Sequence, residues 1–345
     1  MLRKISIVAM FLLTTLAVHA EEVKWAVPPA GYASAGASIP KGTLSPSVSY
    51  PTRNHGNRVF RIYTPPGYSA TRAEKYPVLY LNHGVGGNEN AWTSNNGHAE
   101  GYADKVMDFL YAQASLNVTP MLVVMPFGNM TGTSGDTWQN FEDVLKNDLA
   151  PYIEKTYNAS SSPSMRAIAG LSMGAGQSLN FGYKNPTFFN WIGAFSPAPN
   201  TIAAGTTIKD IAAVKSNVRL NFLAAGTSES MYLNNARNYH NYLNSNGVTN
   251  LYLQVEQGLN HERENWNRQL HNFAQRIFKG EPTHVIRPAS RKTTLSHARA
   301  GDGLTAVGFL IPRDHGAAGI AIFGLDGRVV MRRSVALLSD PTAQP

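Results

Sequence analysis

The sequence contains no cysteine. Disulfides, thiolate metal sites, a cysteine nucleophile and a lipidation cysteine are therefore excluded. It has no H-E-x-x-H pattern and no acidic calcium loop, so no metal and no other cofactor is implied. Charge is sparse: 15% of residues are charged and 43% are hydrophobic, a globular rather than a disordered balance. Acids are the scarcer sign, with 22 Asp and Glu against 30 Lys and Arg, for a net charge of +8. The bases are not interleaved with aromatics in a patch, so nothing argues for nucleic acid. A mild basic excess suits acidic polysaccharide or cell-wall surfaces. There is no internal repeat and only one long apolar run.

That run, Ile5–Val18, follows the basic Arg3 and Lys4 and precedes Val18-His19-Ala20. At about 14 residues it is too short to span a bilayer comfortably. The arrangement is that of a signal peptide cleaved near Ala20, leaving a secreted or periplasmic protein with no membrane span. An exported chain without cysteine points to a bacterium. Losing Arg3 and Lys4 with the leader lowers the net charge from +8 to about +6.

After the leader (1–20), residues 21–57 are a lead-in rich in Pro, Gly, Ser and Ala, with room for an edge hairpin. Residues 58–281 alternate strand and helix patterns. Strands are expected at Val59–Tyr63, Tyr76–Asn82, Met121–Pro126, Arg166–Leu171, Trp191–Phe195, Arg219–Ala224 and Leu251–Val255. Helices are expected at Ala103–Ala114, Gln139–Tyr157, Asn234–Asn244 and Glu262–Phe278. The alternation defines the fold class α/β, with a mainly parallel central sheet covered by helices on both faces. Ligands in such sheets bind beyond the carboxyl ends of the strands. Residues 282–303 read as a basic linker, and 304–345 as a small β-rich unit with short strands around Gly324-Leu-Asp-Gly327.

The chain is organised around Gly170-Leu171-Ser172-Met173-Gly174. This is the G-x-S-x-G pattern of a strand-to-helix turn that exposes a serine hydroxyl. On its own the pentapeptide is equally a tight turn whose serine caps a helix. The other parts decide. A serine hydroxyl needs a base, and the partners of such an elbow follow in the order acid, histidine. Only Asp210, Glu229 and Glu256 lie between Ser172 and His261. Asp210 falls in a surface helix, and Glu256 sits too near His261 on the preceding strand. Glu229 follows the strand Arg219–Ala224 and is the expected acid. His261 follows the strand Leu251–Val255 and is the expected base. His240 and His271 fall inside helical patterns. His83 precedes glycines at a strand end, a structural position. An oxyanion hole needs two backbone N–H donors. Met173, just after the nucleophile, is one. Val85, in His83-Gly84-Val85-Gly86-Gly87, is the other, with Gly86 letting backbone approach the substrate.

With these residues in place, the chain resembles the feruloyl and acetylxylan esterases of carbohydrate esterase family one, within the esterase D-like α/β hydrolases. The stretches that carry the resemblance are YTPPGYS (63–69), KYPVLYLNHGVGGNENAW (75–92), DLAPYIEKTY (148–157), RAIAGLSMGAGQSLNFG (166–182), AAGTSES (224–230) and GLNHERENW (258–266). The resemblance implies the α/β-hydrolase fold and an extracellular serine carboxylesterase that removes feruloyl or acetyl groups from xylan. Its partner would be plant cell-wall polysaccharide. It implies Ser172 as nucleophile, His261 as base, and Met173 with the residue after His83-Gly84 as oxyanion hole. Trp266 is similar to a family tryptophan near the substrate, though core packing explains it equally. Trp138 or Phe127 could also line a flat slot for a feruloyl ring. One departure stands out: the family usually has aspartate where this chain has Glu229. The segment GIAIFGLDGRVV resembles terminal modules of secreted bacterial proteins. Two alternatives stay open: an acetylxylan esterase of the same fold, and a non-catalytic carbohydrate-binding or surface protein.

Overall fold

The computed structural model describes residues 27–34, 36, 38–93, 100–130 and 140–279, then strands at 298–299, 305–313, 317–323 and 329–336. The leader, Trp138 and nearly all of the expected linker lie outside the described residues. The chain divides into two units at Glu281 and Pro282.

The first unit holds a nine-stranded sheet. Its strands are β1 (Thr43–Leu44), β2 (Val48–Pro51), β3 (Asn57–Thr64), β4 (Val78–Asn82), β5 (Leu122–Pro126), β6 (Arg166–Leu171), β7 (Trp191–Phe195), β8 (Leu220–Gly226) and β9 (Leu251–Glu256). The order is β1-β3-β5-β4-β6-β7-β8-β9, with β2 also on β3. Strands β4 to β9 run parallel. Strand β3 is antiparallel to β5, and β1 and β2 pair antiparallel with β3, so the lead-in supplies the sheet's edge. The central strands are near-continuous apolar runs because both of their faces are covered.

The helices are α1 (Ala103–Ala112), α2 (Phe141–Val144), α3 (Ala150–Thr156), α4 (Met173–Lys184), α5 (Ala204–Thr207), α6 (Ile211–Asn217), α7 (Ser230–Ser245) and α8 (Arg263–Ala274). A π-turn, Leu145–Leu149, joins α2 to α3. Alternate strand residues point to opposite faces. Val78, Tyr80, Val124 and Ile168 meet Leu149, Leu179 and Leu243 from α2–α3, α4 and α7. Leu79, Leu81, Val123 and Ala169 meet Val106, Leu110, Leu270 and Phe273 from α1 and α8. Each fully buried Leu or Phe in these layers contributes roughly 1.5–3 kcal/mol of apolar transfer.

Two helix boundaries differ by four residues from the sequence expectation. Helix α7 begins at Ser230, four residues earlier than its apolar pattern, with Glu229 as its N-cap residue. Helix α8 ends at Ala274, and Phe278 turns back with φ +58°. The Phe278 carbonyl then accepts a bond from Thr119 Oγ1 at 3.1 Å, pinning that end to the body.

The topology creates the site. From β4 the chain moves to β5 on one side, then crosses to β6 on the other. The strand order therefore reverses between β4 and β6, and the carboxyl edge at such a reversal is where open α/β sheets bind ligands. The second unit is a four-stranded antiparallel sheet, β10 (Ala298–Arg299), β11 (Thr305–Arg313), β12 (Ala317–Phe323) and β13 (Val329–Ala336), paired in chain order.

Candidate active site

Ser172 sits between β6 and α4 with φ +52° and ψ −116°. Such a backbone costs on the order of 1–3 kcal/mol and persists only when its surroundings hold it. They do. Its N–H donates to the Phe195 carbonyl at 2.9 Å, and its carbonyl accepts from Ala175, Gly176 and Ala198. The flanking glycines are required by space. A Cβ on Gly174 would stand 2.6 Å from the carbonyl oxygens of Asn82 and His83, and one on Gly170 would stand 2.7 Å from the Asn82 oxygen. The turn is thus wedged against the end of β4.

His261, in the loop after β9, reaches Ser172. Its Nε2 lies 3.0 Å from Ser172 Oγ, and its Nδ1 lies 2.7 Å from Glu229 Oε2. A carboxylate can only accept, so Nδ1 carries the proton and Nε2 accepts from the serine hydroxyl. The imidazole is 24% exposed while the Glu229 side chain is 1% exposed, so solvent can reach the histidine and not the acid. The other Glu229 oxygen, Oε1, accepts three bonds: from Ser196 Oγ at 2.6 Å, the Gly226 N–H at 2.6 Å and Asn265 Nδ2 at 2.7 Å. A buried carboxylate is costly unless so satisfied.

The loop after β4 closes the other side. Burial holds His83 neutral and depresses its pKa to about 4. Its Nδ1–H donates to the Gly84 carbonyl at 2.7 Å, and its Nε2 accepts from the Gly128 N–H at 3.0 Å. It therefore ties the loops after β4 and β5 together. Glu100 Oε2 accepts from the Gly84 N–H at 2.7 Å. Burial raises the pKa of this carboxyl, and the Gly84 bond opposes that rise. No acceptor among the described residues takes the N–H of Val85 or of Met173. Val85 is 66% exposed, and Gly86 follows it with φ +77° in open space.

Trp266 is buried, with its Nε1 donating to Ser196 Oγ at 3.2 Å and its ring at 88° to His261, centroids 4.9 Å apart. It packs on the imidazole rather than at the surface. Phe127 stacks on His83, centroids 5.9 Å apart. Among the described residues no group of three His, Cys, Asp or Glu gathers as a metal site would need. No helix among them is long and apolar enough to cross a membrane.

The structure thus brings Ser172, Glu229 and His261 into one hydrogen-bonded chain. Four neighbours were not singled out from the sequence: Ser196, Asn265, Glu100 and Tyr232. Ser196 follows a parallel strand at the carboxyl edge, but nothing in its local sequence marks it as a support for Glu229. Tyr232 falls before the expected helix start at Asn234, so no helical spacing marked it beside Glu229. Asn265 and Glu100 become visible only once the chain is folded.

With this geometry in view, the fold is that of the α/β hydrolases. Residues 53–277 match the family model described as putative esterase, and the chain belongs to that family. It is 32% identical over 230 residues to an endo-1,4-beta-xylanase/feruloyl esterase of Xylanibacter ruminicola, covering 63% of this chain and 29% of that protein. It is 28% identical over 167 residues to endo-1,4-beta-xylanase Y of Acetivibrio thermocellus, covering 45% of this chain and 14% of that protein. The chain therefore spans less than a third of either relative. Among solved structures, a CE1 ferulic acid esterase from Anaeromyces mucronatus with ferulic acid bound superposes with a TM-score of 0.61 at 21% identity. That match covers 73% of this chain and 96% of the other.

Proposed function

We propose that the chain is a secreted serine carboxylesterase that hydrolyses feruloyl esters on xylan. The observation that carries this reading is the unbroken chain from Ser172 Oγ through His261 to a buried, fully bonded Glu229 carboxylate. Family membership and the feruloyl esterase named among the relatives support the substrate class.

In the proposed mechanism His261 Nε2 takes the proton of Ser172 Oγ as the oxygen attacks the ester carbonyl carbon. The carbonyl π bond opens, and its oxygen takes the negative charge. The N–H groups of Met173 and Val85, unused by described acceptors, would hold that charge. Glu229 holds the imidazole in the useful tautomer and stabilises the imidazolium. His261 then gives its proton to the leaving sugar oxygen, the C–O bond breaks, and an acyl-serine remains. Water repeats the sequence: His261 takes its proton, the hydroxyl attacks, and Ser172 leaves protonated with the free acid released. The apolar run Ile5–Val18 supports secretion, with cleavage near Ala20.

The test is steady-state hydrolysis of methyl ferulate beside acetylated xylan by residues 21–345. Ferulate release with much the higher kcat/KM is expected. Preferential acetate release would replace this reading with an acetylxylan esterase. Release of neither would favour a non-catalytic carbohydrate-binding protein.

A further inference from the structure

Tyr232 lies on the first turn of α7, three residues after Glu229. Its ring is stacked face to face on the His261 imidazole, with centroids 3.7 Å apart and planes 19° apart. A partly exposed tyrosine is usually explained by the core it covers. Tyr232 belongs to neither of the two core layers. Among the described residues its ring has one aromatic partner, and that partner is His261. The imidazole is thereby held on three sides. Glu229 bonds it in plane, Trp266 meets it at 88°, and Tyr232 covers one face.

The covered face has a consequence for chemistry. An aromatic face carries negative quadrupole density and attracts a cation lying on it. In the proposed mechanism His261 becomes a cation when it takes the serine proton and loses that charge when it passes the proton on. Tyr232 therefore interacts more strongly with the charged state than with the resting one, which is the condition for accelerating a step.

We infer that Tyr232 is a positioning residue for His261, holding the ring plane and favouring the imidazolium that forms in each half of the reaction. The inference rests on His261 being the base, as proposed above. Its signature is separable from the other charges around the ring. Those are Glu229 at 2.7 Å, Glu100 across the loop, whose carboxyl feels the His261 charge, and the exposed Glu262 and Arg263 on the His261 side. All four stay in place when Tyr232 alone is changed.

Tyr232→Leu keeps an apolar cover over the imidazole and removes the π face. Without that face the protonated base is less favoured. The acid limb of the kcat/KM profile should move down by about half a pH unit to one unit, with kcat reduced roughly three- to tenfold. Tyr232→Phe keeps the face and should leave both unchanged. Tyr232→Met supplies the same comparison as Leu should the Leu variant fold poorly, with near-native melting as the check on both. An unchanged acid limb in well-folded Leu or Met variants overturns the inference. So does a loss in Phe as large as in Leu, since that would assign the effect to the hydroxyl. A wild-type enzyme with no acid limb, or one whose activity survives His261→Ala, would instead remove the base assignment. The two failures are thus told apart.

Discussion

Glu229 is the acid of the site, and four hydrogen bonds hold its carboxylate in place. Three donors, from the ends of β7 and β8 and from α8, converge on Oε1 and leave Oε2 for the imidazole. Glu229→Asp retracts the carboxylate by about one C–C bond, so that either the cradle or the His261 bond must lengthen. We expect kcat to fall roughly tenfold to a hundredfold on methyl ferulate. Glu229→Gln keeps the length but puts an amide beside Nδ1, which favours the wrong tautomer, and a loss on the order of 10⁴ in kcat is expected. Wild-type turnover in the Gln variant would show that the acid is dispensable.

His83 gives a prediction about stability. Its folded pKa of about 4 lies below the ordinary value of 6.5 because the ring is buried, and nearby Arg58 adds to the depression. Between these values the unfolded chain binds the extra proton and the folded chain does not. Stability is therefore fully present above pH 6.5 and is lost as pH falls toward 4. The full loss is about 3 kcal/mol. His271 is shifted the same way by burial, so the comparison of wild type with His83→Gln isolates His83. Urea melts at pH 7 and pH 4.5 should show a smaller drop in the Gln variant. An equal drop would mean that His83 does not titrate differently on folding.

At the scale of elements, the turn between β6 and α4 is set by backbone contact rather than by side-chain packing. Gly174→Ala forces a methyl against the carbonyls of Asn82 and His83. Helix α4 must shift, and Ser172 with it. A destabilisation of roughly 1–3 kcal/mol, with most activity lost, is expected in paired melting and turnover assays. Native stability and turnover would mean that the wedge is loose.

This turn was legible in the sequence, because Gly-x-Ser-x-Gly between an apolar run and a helical pattern has few other readings. Glu229 and His261 were legible for a related reason. Acids are scarce, and both residues follow strands whose apolar patterns are plain. The supports were not legible. Ser196, Asn265 and Glu100 are polar residues in ordinary surroundings until β7, α8 and the segment before α1 fold against the site. Helix α7 begins four residues before its expected start, in a first turn where Met231 is exposed, Tyr232 stacks on the imidazole and only Leu233 joins the core. Trp266 could be read as a substrate contact or as packing, and only the fold shows its ring against His261.

For the whole molecule, every described residue of the site belongs to the first unit, whose last described residues are tied back to its body. Lys279 Nζ donates to the Leu116 carbonyl at 2.8 Å, beside the Thr119–Phe278 bond. Residues 21–281 should therefore hydrolyse methyl ferulate with a kcat/KM within about twofold of residues 21–345. A large loss would assign the second unit a part in catalysis or folding.

Ser172 is proposed as a nucleophile activated through His261. The most direct test is reaction of the folded protein with a fluorophosphonate, followed by mapping of the modified peptide. One phosphonylated residue is expected, Ser172, with labelling abolished in Ser172→Ala and slowed by orders of magnitude in His261→Ala. An unlabelled Ser172 in folded protein, or ester hydrolysis that survives Ser172→Ala, would contradict it.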